Sequence, residues 1–261
     1  MGWYREYISV IPHPFLLVAT SLFMVVAVAQ AEQPAATPYR PTVSNPAVLP
    51  VPGMAEIELG GQYSSGGTEK RSGGLPFLAK YAFNSSWGVL VGADLYTHVV
   101  SVDDETEQGF GDTLLTLKHH HAILENLAVG FEASVNMPTA KQALAGGYDG
   151  TLNGIVSTNL GDASVDFNLG VTRLQTYDSG DNRYLVSWAA AIAQPIAERW
   201  TLSGEMSGAD RKGTRGVAQF LGSLSYELNP RVILDGGFTV GMGSTAQDWS
   251  LFTGVTMLLG N

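Results

Sequence analysis

Residues 75–99, LPFLAKYAFNSSWGVLVGADLYTHV, contain the pattern that decides the fold of this chain. Apolar residues occupy every second position on both sides of Asn84-Ser85-Ser86, whereas Lys80 and Asp94 fall on the opposite phase. A two-residue period puts alternate side chains on opposite faces, which is typical of a β-strand with one apolar and one polar face. The polar residues between the two halves favour a tight turn.

The same alternation extends in both directions along the chain, from Glu56 to the C-terminal residues. It predicts twelve strands, near residues 56–63, 75–83, 87–99, 112–123, 127–136, 150–160, 163–173, 183–194, 200–207, 216–228, 231–241 and 249–260. They run about eight to thirteen residues, close to the 9–11 that a tilted strand needs to cross a lipid bilayer.

The connections between the predicted strands alternate in length. Short turns lie at 84–86, 125–126, 161–162, 195–199 and 229–230, and longer polar stretches lie at 64–74, 101–111, 137–149, 174–182, 208–215 and 242–248. Short and long connections therefore belong to opposite ends of the strands. Outer-membrane barrels have short periplasmic turns and longer external loops, and an even strand number puts both termini in the periplasm.

Aromatic residues on the apolar phase gather near the predicted strand ends. Phe83, Trp87, Trp200 and Tyr226 lie beside short turns, and Tyr63, Tyr184 and Trp249 lie beside long loops. Two aromatic girdles are typical of a barrel that meets water on both sides of a membrane, whereas a soluble β-sandwich, the alternative fold, has no such requirement.

We therefore predict an all-β fold for residues 54–261, a transmembrane antiparallel up-and-down β-barrel of about 12 strands. Lipid cannot satisfy an open sheet edge, so the last strand must pair with the first. The prediction places the protein in the cell outer membrane, with outer-membrane lipids and the barrel assembly machinery as partners.

The residues before the barrel divide into two segments. Residues 1–31 combine Arg5, an uncharged apolar run at 14–29 and the small-residue sequence Ala29-Gln30-Ala31, and they predict a secretory signal peptide rather than a single membrane anchor. Residues 32–53 contain six prolines and no period, and they predict an extended, Pro-rich periplasmic arm.

Composition excludes several classes of function. The formal net charge of −10 argues against nucleic acid as a partner, because its phosphates would be repelled. Cysteine is absent from the sequence, which removes disulfides, metal thiolates and a thiol nucleophile. After the signal segment, no stretch approaches 18 consecutive apolar residues, so helical membrane spans are not expected.

The polar phase carries most of the charged residues of the strands, and these are the candidate lumen-lining residues. They are Glu56, Glu58, Lys80, Asp94, His98, Asp112, Lys118, His120, Glu132, Asp166, Arg183, Glu205, Glu227 and Asp235. Two interpretations stay open: cross-strand ion pairs that fill a narrow barrel, or a cation-favouring channel wall. We expect a narrow or partly occluded pathway.

Neither a metal site nor a catalytic site is predicted. In His119-His120-His121 only His120 has the lumen phase, because adjacent strand residues point to opposite faces. His98 shares that phase, which leaves a two-histidine site open. The serines follow the lumen pattern without a Gly-x-Ser-x-Gly elbow, so we expect no enzyme and no cofactor.

Several local motifs resemble one family. They are Arg40-Pro41-Thr42, Pro52-Gly53, Glu56-x-Glu58-x-Gly60, Gly109-Phe110-Gly111-Asp112-Thr113 followed by Lys118, Asn136-Met137-Pro138-Thr139, and Ser225-Tyr226-Glu227-Leu228-Asn229-Pro230 leading to Asp235-Gly236-Gly237. In order and spacing they resemble the MetA-pathway of phenol degradation family of outer-membrane transporters. The resemblance implies a barrel that takes up small, often hydrophobic or aromatic compounds, and it brings no catalytic residues. The chain departs from common barrels by ending Leu258-Leu259-Gly260-Asn261, without a terminal aromatic residue.

The resulting hypothesis is a passive channel or facilitator for a small-molecule solute, with an acidic lumen that disfavours anions. The alternatives are a barrel-embedded enzyme that acts on lipids and a structural or adhesive outer-membrane protein.

Overall fold

The structure is a computed structural model, and it describes residues 33–141, 144–176, 181–243 and 246–260. The predicted signal peptide at 1–31 lies outside the described residues. Within the described part, no helix is long and apolar enough to cross a membrane.

In the described part of the chain, thirteen strands form one antiparallel sheet. They are β1 (Ala55–Ser65), β2 (Arg71–Ala82), β3 (Trp87–Val100), β4 (Thr106–Gly109), β5 (Thr113–Leu124), β6 (Leu127–Met137), β7 (Gly150–Leu160), β8 (Ala163–Arg173), β9 (Tyr184–Ala197), β10 (Trp200–Asp210), β11 (Val217–Asn229), β12 (Val232–Met242) and β13 (Trp249–Leu259).

The sheet closes on itself. β1 pairs with β2 on one side and with β13 on the other, in a register that runs from Ala55 opposite Leu259 to Ser65 opposite Trp249. β4 pairs with β3 beyond the barrel wall, where it belongs to the long loop before β5. The remaining twelve strands form a closed antiparallel barrel, which confirms the predicted fold and contradicts the sandwich alternative.

Polarity across the barrel wall is inverted relative to a soluble protein. Phe167, Leu202 and Leu251 are 45%, 51% and 57% exposed on the outer face, whereas Lys80 and Lys118 on the inner face are 1% and 0% exposed. Such an outer surface is stable only against lipid, because contiguous exposed apolar area of this extent favours aggregation in water.

Aromatic side chains mark both ends of the apolar outer face. At the short-turn end the rings of Trp200 and Tyr226 lie 4.7 Å apart between centroids, and at the long-loop end Tyr63 and Trp249 lie 5.7 Å apart. The predicted girdle residues therefore pair across neighbouring strands, as expected at the two water interfaces of a membrane barrel.

Strands extend further at the long-loop end than the sequence predicts. β2 begins at Arg71 rather than near residue 75, β10 continues to Asp210, and β4 lies within a stretch predicted as loop. Apart from Ala209, the residues concerned are polar or glycine, so their sequence is typical of a loop although their backbones stay paired. Pairing beyond the bilayer needs no apolar face, and this explains why alternation fails to mark it.

The Pro-rich segment lies inside the barrel, which corrects the prediction of a periplasmic arm. It enters at the short-turn end, where Ala36 N–H donates to the Pro230 carbonyl at 2.7 Å, and it returns there, where Gly53 N–H donates to the Ala82 carbonyl at 2.9 Å. We call residues 36–53 the arm. Its prolines suit this placement because they bring no backbone N–H that a narrow lumen would have to satisfy.

Candidate functional site

The base of the arm is held by a buried layer of charge on β1 and β2. Lys80 Nζ lies 2.5 Å from Glu56 Oε1 and 2.5 Å from Glu58 Oε1, and all three side chains are buried. Lys80 also donates to the Thr37 carbonyl at 2.6 Å, while the Thr37 and Tyr39 N–H groups donate to Glu56 and Glu58 at 2.7 Å. The carboxylates therefore serve both the wall lysine and the arm backbone.

A second buried layer, on β5 and β6, holds the returning half of the arm. Lys118 Nζ lies 2.9 Å from Glu132 Oε1 and donates to the Pro46 carbonyl at 2.6 Å. Asn45 Nδ2 donates to both Glu132 oxygens at 3.0 and 3.1 Å. As in the first layer, lysine and glutamate face each other across neighbouring strands, since Lys118 is directly opposite Glu132 in the register.

Tyr39 joins the two layers. Its ring lies between the two lysines, with Lys80 Nζ 3.8 Å and Lys118 Nζ 4.1 Å from the ring centroid, an arrangement that favours cation–π attraction. The Tyr39 hydroxyl donates to the Val48 carbonyl at 2.7 Å and so ties the two halves of the arm together. Only 2% of Tyr39 is exposed.

Arg40 occupies a slot in the wall formed by two glycines. Its guanidinium donates to Asp235 at 3.1 and 3.2 Å and to the Thr253 carbonyl at 3.1 Å. Gly60 and Gly254 face each other in the β1–β13 register, and a Cβ at Gly60 would lie 2.5 Å from the guanidinium. A side chain at either glycine would displace Arg40.

The tip of the arm is held by neutral and acidic side chains from distant strands. Ser44 donates to Glu205 from both N–H and hydroxyl, at 2.7 and 2.8 Å. Asn45 N–H donates to Asn168 Oδ1 at 3.0 Å, and Ala47 N–H donates to Ser157 Oγ at 2.7 Å. The tip thus reaches strands on the far side of the lumen from β1.

Among the described residues, two large cavities lie on opposite sides of the arm in the lumen. The lower cavity, of about 670 Å³, lies next to the short turns, and the upper chamber, of about 510 Å³, lies next to the long loops. The upper chamber is lined by Val43, Leu114, Glu132, Ser134, Thr151, Asn153, Asn168, Ser187, Trp188, Ala189, Ser207, Gly208, Ala209, Val217, Ala218, Gln219, Ala246 and Gln247. Of these, Glu132 is the charged residue, and it lies at the floor, paired with Lys118.

The structure places the predicted lumen-lining residues in three groups. Glu56, Glu58, Lys80, Lys118, Glu132, Glu205 and Asp235 converge on the arm. His120, Asp166 and Glu227 line the lower cavity, whereas Asp94, His98, Asp112 and Arg183 lie toward the long loops. The cross-strand ion pairs that the first interpretation of these charges predicts are present. A role in the route of a solute stays a prediction.

His98 and His120 lie too far apart to share a metal ion, so the two-histidine site that the sequence left open is wrong. His120 N–H donates to the Ser86 carbonyl at the short-turn end, whereas His98 is paired with Gln108 of β4 in the long loop. Twelve positions of β3 separate Ser86 from His98, which at about 3.3 Å per residue is roughly 40 Å. Among the described residues, no group of His, Asp and Glu side chains is arranged to hold a metal ion.

Asp112 organises the long loop after β6. Its carboxylate accepts hydrogen bonds from Asn136 Nδ2 at 2.8 Å, Ala140 N–H at 3.1 Å and Gly146 N–H at 2.8 Å. Partial burial raises the pKa of this carboxyl and the hydrogen bonds lower it, and the net pKa lies below its usual value. The loop is therefore held best by the ionised carboxylate.

We expect Asp112→Ala to speed amide hydrogen exchange at Ala140 and Gly146 about tenfold, because each N–H loses its acceptor. Since the folded pKa is lowered, this stabilisation is complete above the unfolded pKa of about 3.9 and is lost as pH falls through the folded value. Exchange mass spectrometry measures the effect, with Asp103→Ala in an exposed loop as control. Unchanged exchange in Asp112→Ala contradicts the assignment.

The arm residues were missed by sequence reasoning. Tyr39, Arg40, Ser44 and Asn45 stand in a segment without periodicity, which predicted only an extended chain, and Arg40 appeared only within a family motif. One signal was present: Gly60 and Gly254 stand on the lumen phase of their strands, and strand glycines mark close approach of another group.

Residues 40–259 match the family model described as "Putative MetA-pathway of phenol degradation". The chain belongs to this family. The match includes most of the arm, starting at Arg40, together with all of the strands. The resemblance that the motifs indicated is thereby confirmed, and several family motifs meet in space, since Arg40 contacts Asp235 and its N–H donates to Glu58.

Solved structures share the fold of this chain. The NanC porin aligns with a TM-score of 0.58 at 9% identity, over 78% of this chain and 100% of NanC. The CymD monoaromatic hydrocarbon channel aligns with a TM-score of 0.51 at 10% identity, over 81% and 89% of the two chains. The toluene transporter TbuX of Ralstonia pickettii aligns with a TM-score of 0.51 at 9% identity, over 80% and 90%.

Among proteins with curated descriptions, none matches this sequence. The closed barrel, its apolar outer face and the likeness to outer-membrane barrels agree on location. The protein is an outer-membrane β-barrel, as the sequence predicts.

Proposed function

We propose that this barrel is a passive facilitator for the uptake of small, uncharged apolar or aromatic molecules across the outer membrane. The observation that carries the proposal is the upper chamber of about 510 Å³, whose lining is apolar or neutral polar apart from Glu132 at its floor. Binding sites for small organic molecules are concave, mostly apolar and of this size.

The charges around the arm support selection against anions. Glu56, Glu58, Glu132, Glu205 and Asp235 outnumber Lys80, Lys118 and Arg40 in the buried layers. A net negative potential in a low-dielectric lumen repels anions and leaves neutral molecules unaffected. The acids are engaged with lysines and the arm, so a freely conducting cation channel is not proposed.

The family and two of the similar structures support the class of solute. The family description refers to phenol degradation, CymD is described as a monoaromatic hydrocarbon channel, and TbuX as a toluene transporter. A neutral chamber above a polar plug suits a solute of the same chemistry in this chain.

The proposal treats the protein as a channel and not as an enzyme. In the lower cavity the Ser157 hydroxyl donates to Asp166 and accepts from Ala47 N–H, so this serine is engaged in holding the arm. We further propose that outer-membrane lipids cover the apolar outer face and that the assembly machinery recognises β13.

Ala189 and Ala190 provide a matched pair for testing the route. Ala189 faces the upper chamber and Ala190, the next residue of β9, faces outward. We expect Ala189→Trp to reduce uptake of a radiolabelled monoaromatic hydrocarbon into cells at limiting concentration about tenfold or more, because the indole fills much of the chamber. Ala190→Trp is expected to leave uptake at the wild-type rate.

Both variants should show heat-modifiable migration on gels, which reports a closed barrel. Equal uptake by Ala189→Trp and wild type contradicts the chamber as the route. Uptake by wild type no faster than by cells without the protein contradicts the proposed function itself.

A further inference from the structure

The arm lies across the path between the two cavities of the barrel. The upper chamber is bounded below by Val43, and the lower cavity is bounded above by Thr37, Pro41 and Pro46 among other arm residues. If solute passes through the lumen, as the proposed function requires, the arm must change position. We propose that the tip of the arm, residues 42–48, is a movable gate whose displacement connects the two cavities.

The contacts of the tip are of a kind that can be exchanged for water. Ser44, Asn45 and Ala47 donate backbone hydrogen bonds to Glu205, Asn168 and Ser157. Asn45 and Pro46 also bond to the Glu132–Lys118 pair, which stays matched in charge without the tip because the two side chains lie 2.9 Å apart. Each of these acceptors stands on a strand whose backbone pairing does not involve the arm. Water can therefore replace the arm as the hydrogen-bond donor at each position. The net contribution of such a hydrogen bond is small for the neutral acceptors, since water competes for both partners, and larger for the Glu205 carboxylate.

The base of the arm is held differently. Tyr39 is buried between two lysines, and Arg40 is fixed in its glycine slot by the ion pair with Asp235. Removing Arg40 would leave the buried Asp235 without its counter-ion, and removing Tyr39 would end its cation–π contacts with both lysines. The base is therefore the fixed anchor, and the gate comprises the tip beyond it.

The junction between the arm and β1 contains a glycine that is suited to act as the pivot of the gate. Gly53 has a φ of 79°, a conformation that glycine adopts without strain, and a Cβ there would meet nothing within 4 Å. A tip that moves on the fixed base would turn at this glycine. Solute in the upper chamber contacts the tip directly through Val43 and competes with its seated position.

A disulfide between the tip and the wall tests the gate in the full chain. A Cβ at Gly130 of β6 would lie 3.3 Å from the Ala47 Cβ, close to the 3.5–4.5 Å found across disulfides. The natural chain has no cysteine, so the pair Ala47→Cys with Gly130→Cys is specific. Thr239→Cys with Ser250→Cys, directly opposite on β12 and β13, is the control that cross-links the wall alone.

We expect the oxidised tip-to-wall variant to lose at least about tenfold of its monoaromatic uptake in proteoliposomes, and a thiol reductant to restore it. The control disulfide should leave uptake unchanged. Undiminished uptake by the oxidised variant overturns the gate while the proposed function stands. Absence of uptake by the wild type is the separate result that overturns the proposed function.

A second measurement does not depend on disulfide formation or transport. Ser44 is fully buried, whereas Val102 in a long loop is 66% exposed. A moving tip predicts that Ser44→Cys reacts slowly with a membrane-impermeant maleimide and faster when toluene is present. Val102→Cys should react rapidly in both conditions. If Ser44→Cys stays unlabelled with toluene while Val102→Cys is labelled completely, the tip does not move and the proposal fails.

Discussion

Replacing Lys80 by methionine is expected to lower the free energy of unfolding by about 3–5 kcal/mol, because two buried carboxylates lose their counter-ion. Lys80 Nζ lies 2.5 Å from both Glu56 and Glu58, and none of the three side chains reaches solvent. Methionine keeps much of the side-chain volume, so the loss reports charge rather than a cavity. Denaturant unfolding of the refolded barrel in phospholipid vesicles measures it.

Two further variants separate the buried pair from a general effect of lysine removal. Lys70 and Asp104 form an exposed pair, with side chains 53% and 68% accessible, and Lys70→Met should leave the unfolding midpoint unchanged. Adding Glu58→Gln to Lys80→Met should recover part of the lost stability, since one of the two unpaired charges is removed. Equal midpoints for Lys80→Met and wild type are incompatible with a buried charge layer that holds the arm.

A positive charge on the outer face should destabilise the barrel according to its depth in the membrane. Phe238 lies in the middle of β12 and is 45% exposed on the outer face, and Met242 ends the same strand on the same face and is 39% exposed. Phe238→Arg is expected to cost about 2–4 kcal/mol and Met242→Arg about 0–1 kcal/mol, because arginine near the interface keeps its charge in water.

The comparison between the two arginine variants tests the orientation of the barrel wall. Unfolding in vesicles gives both free energies under the same conditions. A soluble barrel would show similar costs at the two positions, since both side chains would meet water. Similar costs would therefore place the outer face outside lipid.

Because the arm plugs the lumen, the charged residues of the inner face have a different role from those of an open pore. A ladder of acids in an open pore favours cations, but here Glu205 accepts from Ser44, Asp235 from Arg40, and Glu132 from Lys118 and Asn45. Their first role is to hold the arm in place. Under the proposed function, selection depends on the upper chamber, whose largely uncharged lining suits uncharged molecules.

The strands were predictable because their pattern is local. Alternation along residues 75–99 gives both strands of that hairpin within a few positions of β2 and β3, since successive side chains of any strand point to opposite faces. Lys80 and Asp94 were placed on the inner face by phase alone. Alternation stops being informative beyond the bilayer, where β4 and the start of β2 are paired without an apolar face.

The sequence by itself determined the barrel, its strand number, its inner and outer faces and its location, because each depends on period and polarity within single strands. Only the tertiary structure decided where the Pro-rich segment lies. The contact of Arg40 with Asp235 joins residues 195 positions apart, and the slot at Gly60 and Gly254 exists only once β1 pairs with β13. The sequence of a segment without periodicity does not indicate which residues the segment contacts. The place of the arm in the lumen therefore follows from barrel closure and from the buried charges that closure brings together.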